Sequence, residues 1–546
     1  MALLLHEPVL AAMAAYGERE AIVGENGRSC TYRELQHGVR AWASMLADLK
    51  PSPRQNPFVG ILAPVAAESI AAVLGTLCTG CAYVPLDELA PTERLRGIID
   101  SIGLDLIVAD PAYLSLHPEL AQAPSVRQVL LTNEISDRAP VREVAPQPIL
   151  ADDLAYVLHS SGSTGVPKGI MLTHRNARTF TDWMHKEFRI ASDDVVMSRA
   201  PFKFDLSVFD VFNSLSAGAK LVTFDWTRAR SADERHRDYV SLMARNGATV
   251  LYTTPSTFIA LMNRGGLGEA APPLRQIMYA GEPFPTAQLR RLREALGTTT
   301  RIANIYGPTE TNIITCQWVD ELADDDTPVP LGHEVDDTEI IVVADEDPPR
   351  LCMPDELGEI WCRGGTVTLG YLGMPEKTAE HLVRSPFDRA PAYFWRTGDF
   401  GFRDHAGVLH YRGRRDHMVK VRGYRVELGE IEAALAGHAD IDESVIVAVP
   451  DTHNGTGCTL ACYYTPLDGR QVTSEDVRRH LMHTVLPYMV PQLIERRDAL
   501  PTTSSGKVDR VRLGAQAALA LAETIPAPPA SPELSGHPIT QLEGAS

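Results

Sequence analysis

Between residues 58 and 109, short apolar runs alternate with helical stretches: "FVGIL", "ESIAAVLGTLCTG", "AYVPL", "TERLRGIIDSIG" and "LIVAD" follow one another. Short, unbroken apolar runs suit buried strands, whereas apolar positions three and four apart suit one face of a helix. The alternation is a βαβ rhythm, and it predicts an α/β fold. It resumes with "VVMSRA", "VFDVFNSLSAG", "KLVTF", "YVSLMARNG", "TVLYTT", "RQIMYAG" and "RIANIYG", which predicts a second sheet-and-helix unit. From about residue 330 the text turns to "EIIVVAD", "GEIWCRG" and "VLHYRGRRD", the strand-and-turn composition of a smaller β subdomain. "GRRDHMVKVRGYRVELGEIEAALAGH" then shifts composition again. A charged turn leads into a helix starting near Leu428, and "ESVIVAVP" and "TLACYYTP" supply strands for a small α+β unit.

At 546 residues the chain exceeds the size at which one core stops growing, so a large domain with a smaller one is expected. Residues 31–48 should form a helix, because Thr31 stands as N-cap with Glu34 three residues on, a capping box. The last stretch, rich in Pro, Ser and Gly, reads as a disordered tail. No internal repeat is evident.

The formal net charge of −19 opposes binding to a polyphosphate backbone, so nucleic acid is not an expected partner and any anion must be held by local donors. No apolar run approaches the ~18 residues of a membrane span. The N-terminal "MALLLHEPVL" has no Lys or Arg ahead of it and is interrupted by His6, Glu7 and Pro8, which favours a peripheral amphipathic helix over a secretory signal. Among the 8 cysteines, Cys78 and Cys81 alone have C-x-x-C spacing, with no second half, and read as small core residues. The expected compartment is a reducing cytoplasm.

One loop invites a phosphate. "SSGSTGVPKG", residues 160–169, follows the apolar "LAYVLH". A Walker loop needs Gly immediately before its lysine and Ser or Thr after it; here Pro167 precedes Lys168 and Gly169 follows, so that reading fails. Backbone N–H groups and hydroxyls can still form a concave donor surface without net positive charge. Taken alone, the stretch fits a flexible surface loop equally well.

Other segments follow it in a particular order: "FKFDLSVFD" at 202–210, "NIYGPTETN" at 304–312, "GEIWCRGG" at 358–365, "FWRTGD" at 394–399, the 413–432 segment and "LPTTSSGKVDR" at 500–510. With "CAYVPLDELAPTERL" and "LPYMVP", they resemble the ordered core motifs of the adenylate-forming superfamily, in particular the amino-acid adenylation domains of nonribosomal peptide synthesis. The resemblance covers about residues 5 to 515. It implies an α/β multidomain fold. A large N-terminal core at 1–412 holds two sheet-and-helix subdomains plus a β subdomain. A hinge at 413–416 leads to a small, mobile α+β lid domain at 417–515, and the tail occupies 516–546.

Such enzymes join a carboxylate to the α-phosphate of ATP, release pyrophosphate, and pass the acyl group to a phosphopantetheine thiol. By resemblance, Ser161, Gly162, Ser163, Thr164, Gly165 and Lys168 hold the β- and γ-phosphates. Asn304 and Tyr306 face adenine, Thr309 the α-phosphate, and Glu310 binds Mg²⁺, which prefers hard oxygen ligands. Asp399 accepts both ribose hydroxyls, Arg414 and Lys420 assist at the nucleotide, and Lys507 bridges the substrate carboxylate and α-phosphate. Asp416 is the hinge; turning about it withdraws Lys507 and brings "VKVRGYR" toward the pantetheine.

Asp205 matches the aspartate that pairs with the α-ammonium of an amino acid, and a buried carboxylate without a cation is costly. The side-chain lining carries over to Leu206, Phe209, Tyr252, Met278, Ala280, Gly281, Ile305, Ile313 and Ile314. None of these is charged, so the substrate side chain should be small and apolar. The lining is similar to that of stand-alone L-prolyl-carrier-protein ligases, which implies L-proline, with alanine, valine or a proline homologue as competitors. An acyl- or aryl-CoA ligase is the other enzymatic reading. No carrier motif G-[GD]-[HD]-S and no condensation motif H-H-x-x-x-D-G is present, so a free-standing ligase with a separate peptidyl carrier protein is expected.

Overall fold

The computed structural model describes residues 4–49, 57–135, 148–160, 167–227, 230–322, 325, 327–414, 418–421, 423–451, 457–467, 469–501 and 508–524. The first βαβ rhythm forms a six-stranded sheet in the order Gln128–Leu131, Leu106–Ala109, Phe58–Leu62, Ala82–Pro85, Leu154–Ser160, Lys168–Thr173. Its first five strands are parallel; the last turns back antiparallel, with Ser160 opposite Lys168. The two ends of the glycine-rich stretch are therefore tied by a ladder pair at the sheet's edge.

The second rhythm, joined by the N-terminal strand Glu20–Gly24, forms a nine-stranded sheet. Its parallel centre runs through Glu20–Gly24, Lys220–Thr223, Val195–Met197, Val250–Thr253, Gln276–Tyr279 and Arg301–Tyr306, with short antiparallel strands at both edges. Both faces are covered, as parallel strands require. Tyr252, Met278, Ala303 and Ile305 enter one apolar cluster, whereas Leu251, Ile277, Tyr279 and Ile302 enter another. The expected β subdomain is a five-stranded antiparallel sheet spanning Thr338–Val343 to Leu409–Arg414.

Helix Tyr32–Leu49 begins as its capping box predicts: Thr31 N donates to Glu34 Oε2 at 2.7 Å, and Glu34 N donates to Thr31 Oγ1 at 3.2 Å. Helix Glu7–Ala15 exists but is not peripheral, because Val9 and Met13 are buried in the main core. Cys81 is buried and Cys78 half-buried, and burial pushes their thiols up to about 11 and about 12, as suits packing rather than redox chemistry. The stretch "LSVFDVFNSLS" is helical, but Phe209–Asn213 forms a π turn that periodicity alone does not reveal.

The small unit begins with a hairpin, Met418–Val421 against Tyr424–Glu427, followed by helix Leu428–Ala436 at the expected start. Its sheet, Ile441–Pro450, Cys458–Pro466 and Leu493–Arg496, alternates strictly. Ile446, Leu460, Cys462 and Tyr464 share a cluster with Leu62, Val84 and Leu95 of the large unit, whereas Val445, Val447, Ala461 and Tyr463 pack on Leu513 and Ala517 of the last helix. That helix, Arg510–Thr524, passes the expected boundary at residue 515, because "RVRLGAQAALALAET" is rich in the strong helix formers Ala and Leu. The remaining tail, 525–546, lies outside the described residues.

Candidate active site

The strands of the second sheet end together, where ligands of open α/β sheets bind. Tyr252 pairs in register with Met278, and Tyr279 with Asn304. The Tyr252 ring meets Phe209 of the π turn edge-on, with centroids 5.6 Å apart. Ile314 N donates to Tyr306 O at 2.8 Å, which folds the segment carrying Ile313 and Ile314 back against the strand end. The structure thus gathers Phe209, Tyr252, Met278, Ala280, Ile305, Ile313 and Ile314 in one apolar cluster, with half-buried Leu206 against it. Gly281 has φ +90°, a conformation that side chains rarely adopt, and turns the chain from Ala280 toward Glu282.

Asp205 stands at the start of the helix that carries Leu206, half-buried. Burial raises its carboxyl pKa above the usual carboxylate value, and the Thr309 hydroxyl and the Lys420 charge offset only part of that rise. Beneath it, Asp210 accepts the Arg199 amide at 3.0 Å, and burial raises its carboxyl to about 7.

The expected nucleotide residues also converge. Tyr306 Oη donates to Asp399 Oδ2 at 2.7 Å, and Arg414 Nη1 lies 2.9 Å from Oδ1. Asp399 N donates to Thr397 Oγ1 at 3.0 Å, and Asn304 Nδ2 donates to Pro330 O at 2.8 Å. The Asp399 carboxylate is thereby fixed by an arginine and a tyrosine on strands of two different sheets.

Glu310 is 1% exposed. Tyr371 Oη donates to its Oε1 at 2.9 Å, and Arg425 Nη1 donates to both oxygens at 2.9 and 2.8 Å. Burial alone would raise this carboxyl, but the Arg425 charge, a backbone hydrogen bond, the Tyr371 hydroxyl and His381 together outweigh it and hold the pKa at about 2. Lys168 Nζ donates to Glu427 Oε1 at 2.8 Å and stands 5.7 Å over the Tyr371 ring.

Arg425, Glu427 and Lys420 all come from the 418–427 hairpin, which occupies this site. Lys420 pairs across the hairpin with Arg425, so with Glu427 they share one face, while Val421 and Val426 point the other way into apolar core. Half-buried Lys420 faces Asp399, Asp205 and Glu282; desolvation lowers its pKa, and Arg425 lowers it further. Glu282 accepts Ser256 N at 3.0 Å and faces the Gly423 amide. At Gly423, φ is +86°, and a Cβ would stand 3.1 Å from the Thr254 methyl. Tyr424 stacks on Tyr488 at 3.8 Å and meets Phe204 edge-on at 5.2 Å.

The chain matches the AMP-binding enzyme family over residues 10–372 and the AMP-binding enzyme C-terminal domain over 430–507. It belongs to the AMP-binding enzymes. It is 33% identical over 525 residues to an L-proline--[L-prolyl-carrier protein] ligase of Pseudomonas fluorescens, covering 94% of this chain and 99% of the relative. A ligase of the same name from Streptomyces coelicolor is 34% identical, covering 92% and 95%. The fold is also that of the amide bond synthetase McbA of Marinactinospora thermotolerans, with TM-score 0.82, 23% identity, and 93% and 99% of the two chains covered.

In this AMP-binding enzyme, Ser161, Gly162, Ser163, Thr164, Gly165, Asp416 and Lys507 lie outside the described residues. The residues that sequence reasoning passed over are Glu282, Tyr371, Arg425 and Glu427. Two of them had a signal: in "VKVRGYRVE" charges recur with period two, the mark of a strand with one polar face. Glu282 and Tyr371 had none, since each gains its meaning from a partner distant in sequence. Among the described residues, no cluster of His, Cys, Asp and Glu forms a metal site, and no helix is long and apolar enough to cross a membrane.

Proposed function

We propose that this AMP-binding enzyme activates a small apolar amino acid, L-proline, as its adenylate and passes the acyl group to the phosphopantetheine thiol of a separate carrier protein. The observation that carries the reading is Asp205: a half-buried carboxylate beside an uncharged lining of Phe209, Tyr252, Met278 and Ile314. A substrate ammonium would neutralise that carboxylate, and an apolar side chain would fill the space beside it. The two prolyl-carrier-protein ligases, similar along nearly their whole length, support the choice of proline and of a carrier as acceptor.

In the first half-reaction a substrate carboxylate oxygen bonds to the α-phosphorus as the bond to the β-phosphate oxygen breaks, and pyrophosphate leaves. Two anions must meet, so positioning and charge neutralisation carry the catalysis. Asp399, oriented by Tyr306 and Arg414, accepts the ribose hydroxyls. Thr309 and Lys507 address the α-phosphate, and Lys168, with the 161–165 segment, the departing phosphates. Glu310 is a fit holder for Mg²⁺: it is buried, ionised and already faces a cation, and one carboxylate plus phosphate oxygens is a set Mg²⁺ favours. Bound there, Mg²⁺ would neutralise phosphate charge. In the second half-reaction the thiol sulfur bonds to the acyl carbon, AMP leaves with the bonding electrons, and the thiol proton is released.

The hairpin in the site fits this second step. Glu282 anchors it at Gly423, so Glu282→Gln should slow transfer from a supplied aminoacyl-adenylate by about tenfold, the worth of a charge-assisted hydrogen bond, and leave ATP–pyrophosphate exchange near wild type. Intact-mass analysis of a phosphopantetheinylated carrier protein incubated with enzyme, ATP and proline tests the proposed function itself. A prolyl adduct on the carrier is expected; exclusive loading of coenzyme A would overturn the choice of acceptor.

A further inference from the structure

Two residues before Asp205, the Lys203 side chain leaves the nine-stranded sheet's unit and crosses to the six-stranded one. Its Nζ pairs with Asp87 Oδ1 and stands 3.9 Å from Glu88 Oε1, both on the turn that follows strand Ala82–Pro85. All three side chains are shielded from water, at 12% exposed for Lys203, 13% for Asp87 and 9% for Glu88. The turn is itself held fast: Asp87 Oδ1 also accepts Leu89 N at 3.0 Å, and Glu88 O accepts His117 Nε2 at 3.3 Å. A second polar tie joins the two units nearby, where Tyr113 Oη donates at 3.1 Å to Asp225 Oδ1, a carboxylate that also faces Glu88. None of these groups has a part in the two half-reactions set out above.

We propose that Lys203 is a positioning residue for the amino acid: by clamping its segment to Asp87 and Glu88 across the two sheets, it sets the Asp205 carboxylate where a substrate ammonium meets it. The inference rests on the proposed function, which gives Asp205 that ammonium. The segment is tied at its other end as well, because Arg199 N and Ala200 N donate to Asp210 Oδ2 at 3.0 and 3.3 Å. Between the ties, Phe204 N donates to Pro201 O at 3.0 Å and closes a turn. Two residues span at most about 7 Å, so whatever fixes Lys203 also limits where the Asp205 carboxylate can stand. An ion pair shielded from water makes a firm clamp, since parting it strands both charges. Burial, with Asp87 and Asp225 beside it, pushes the Glu88 carboxyl up to about 7 against the pull of Lys203. Glu88 is therefore only part ionised near neutral pH, and the nearer contact, with Asp87, dominates the clamp.

Hydrogen–deuterium exchange of the 199–208 segment in the full-length enzyme, read beside steady-state ATP–pyrophosphate exchange, tests this. In Lys203→Met the segment should exchange faster and the KM for proline should rise about tenfold or more, the worth of a hydrogen bond to a charged group, with the KM for ATP near wild type. Asp87→Asn keeps an acceptor for Lys203 and is the milder change, so it carries the test alone if Lys203→Met does not fold. It should move both readouts in the same direction, and the double variant should be no worse than Lys203→Met, because one contact is lost in each. Equal rises in both KM values, a lowered melting temperature with an unchanged proline KM, or unchanged segment exchange in Asp87→Asn would overturn the inference. Segment exchange needs no amino acid, so failure of the wild-type enzyme to activate any amino acid would refute the proposed function separately.

Discussion

Lys507→Ala is expected to slow adenylate formation by about 100- to 1,000-fold, the usual cost of one electrostatic group at a developing charge, while sparing transfer from a supplied aminoacyl-adenylate. The asymmetry follows from the small unit's construction. Leu500 and Val508, which bracket Lys507, pack beside Val445, Val447 and Val449 on the sheet face turned away from the large unit. The hairpin of the same unit meanwhile occupies the site through Lys420, Arg425 and Glu427. On the proposed function, a body that presents its hairpin for the second half-reaction would reorient to present Lys507 for the first, a gating step of the kind that lids perform. Parallel assays of ATP–pyrophosphate exchange and of thioester formation from synthetic adenylate check it; equal loss of both would contradict the role given to Lys507.

Asp205→Ala should reduce amino-acid-dependent exchange by about 100-fold or more, because truncating one partner of a buried ion pair leaves the other charge unpaired. The loss should appear mainly as weaker amino-acid binding, since the ammonium is charged in ground and transition states alike. Asp205→Asn should recover little, keeping the shape and an acceptor but not the charge. The ATP requirement should be unchanged, because Asp399, Tyr306 and Arg414 form a separate hydrogen-bonded group. Steady-state kinetics with varied proline at saturating ATP separates these effects.

Much of this was legible in the chain. The βαβ rhythm located both parallel sheets, since strands buried on two faces must be apolar throughout, and Thr31 with Glu34 marked a helix start that the hydrogen bonds reproduce. The ordered motifs brought Tyr306, Asp399 and Arg414 together from distant segments, and they do meet. Less legible was anything set by tertiary partnership. The π turn at Phe209–Asn213 leaves no trace in hydrophobic spacing, yet it holds Phe209 against Tyr252. Helix Glu7–Ala15 looked peripheral because Glu7 and Pro8 interrupt its apolar run, but Val9 and Met13 still reach the core. The motif around Lys168 led to the expectation of a phosphate-handling lysine, but nothing in it pointed to Glu427, its partner in the structure, which lies 259 residues away on the small unit.

The most direct test of the account is ATP–pyrophosphate exchange over a panel of acids at matched concentrations: proline, alanine, valine, benzoate and a fatty acid. Exchange with proline should exceed that with alanine or valine by about tenfold or more, the discrimination an apolar lining of this kind can supply, and benzoate and the fatty acid should give none. Robust exchange with benzoate or the fatty acid, and none with any amino acid, would contradict it.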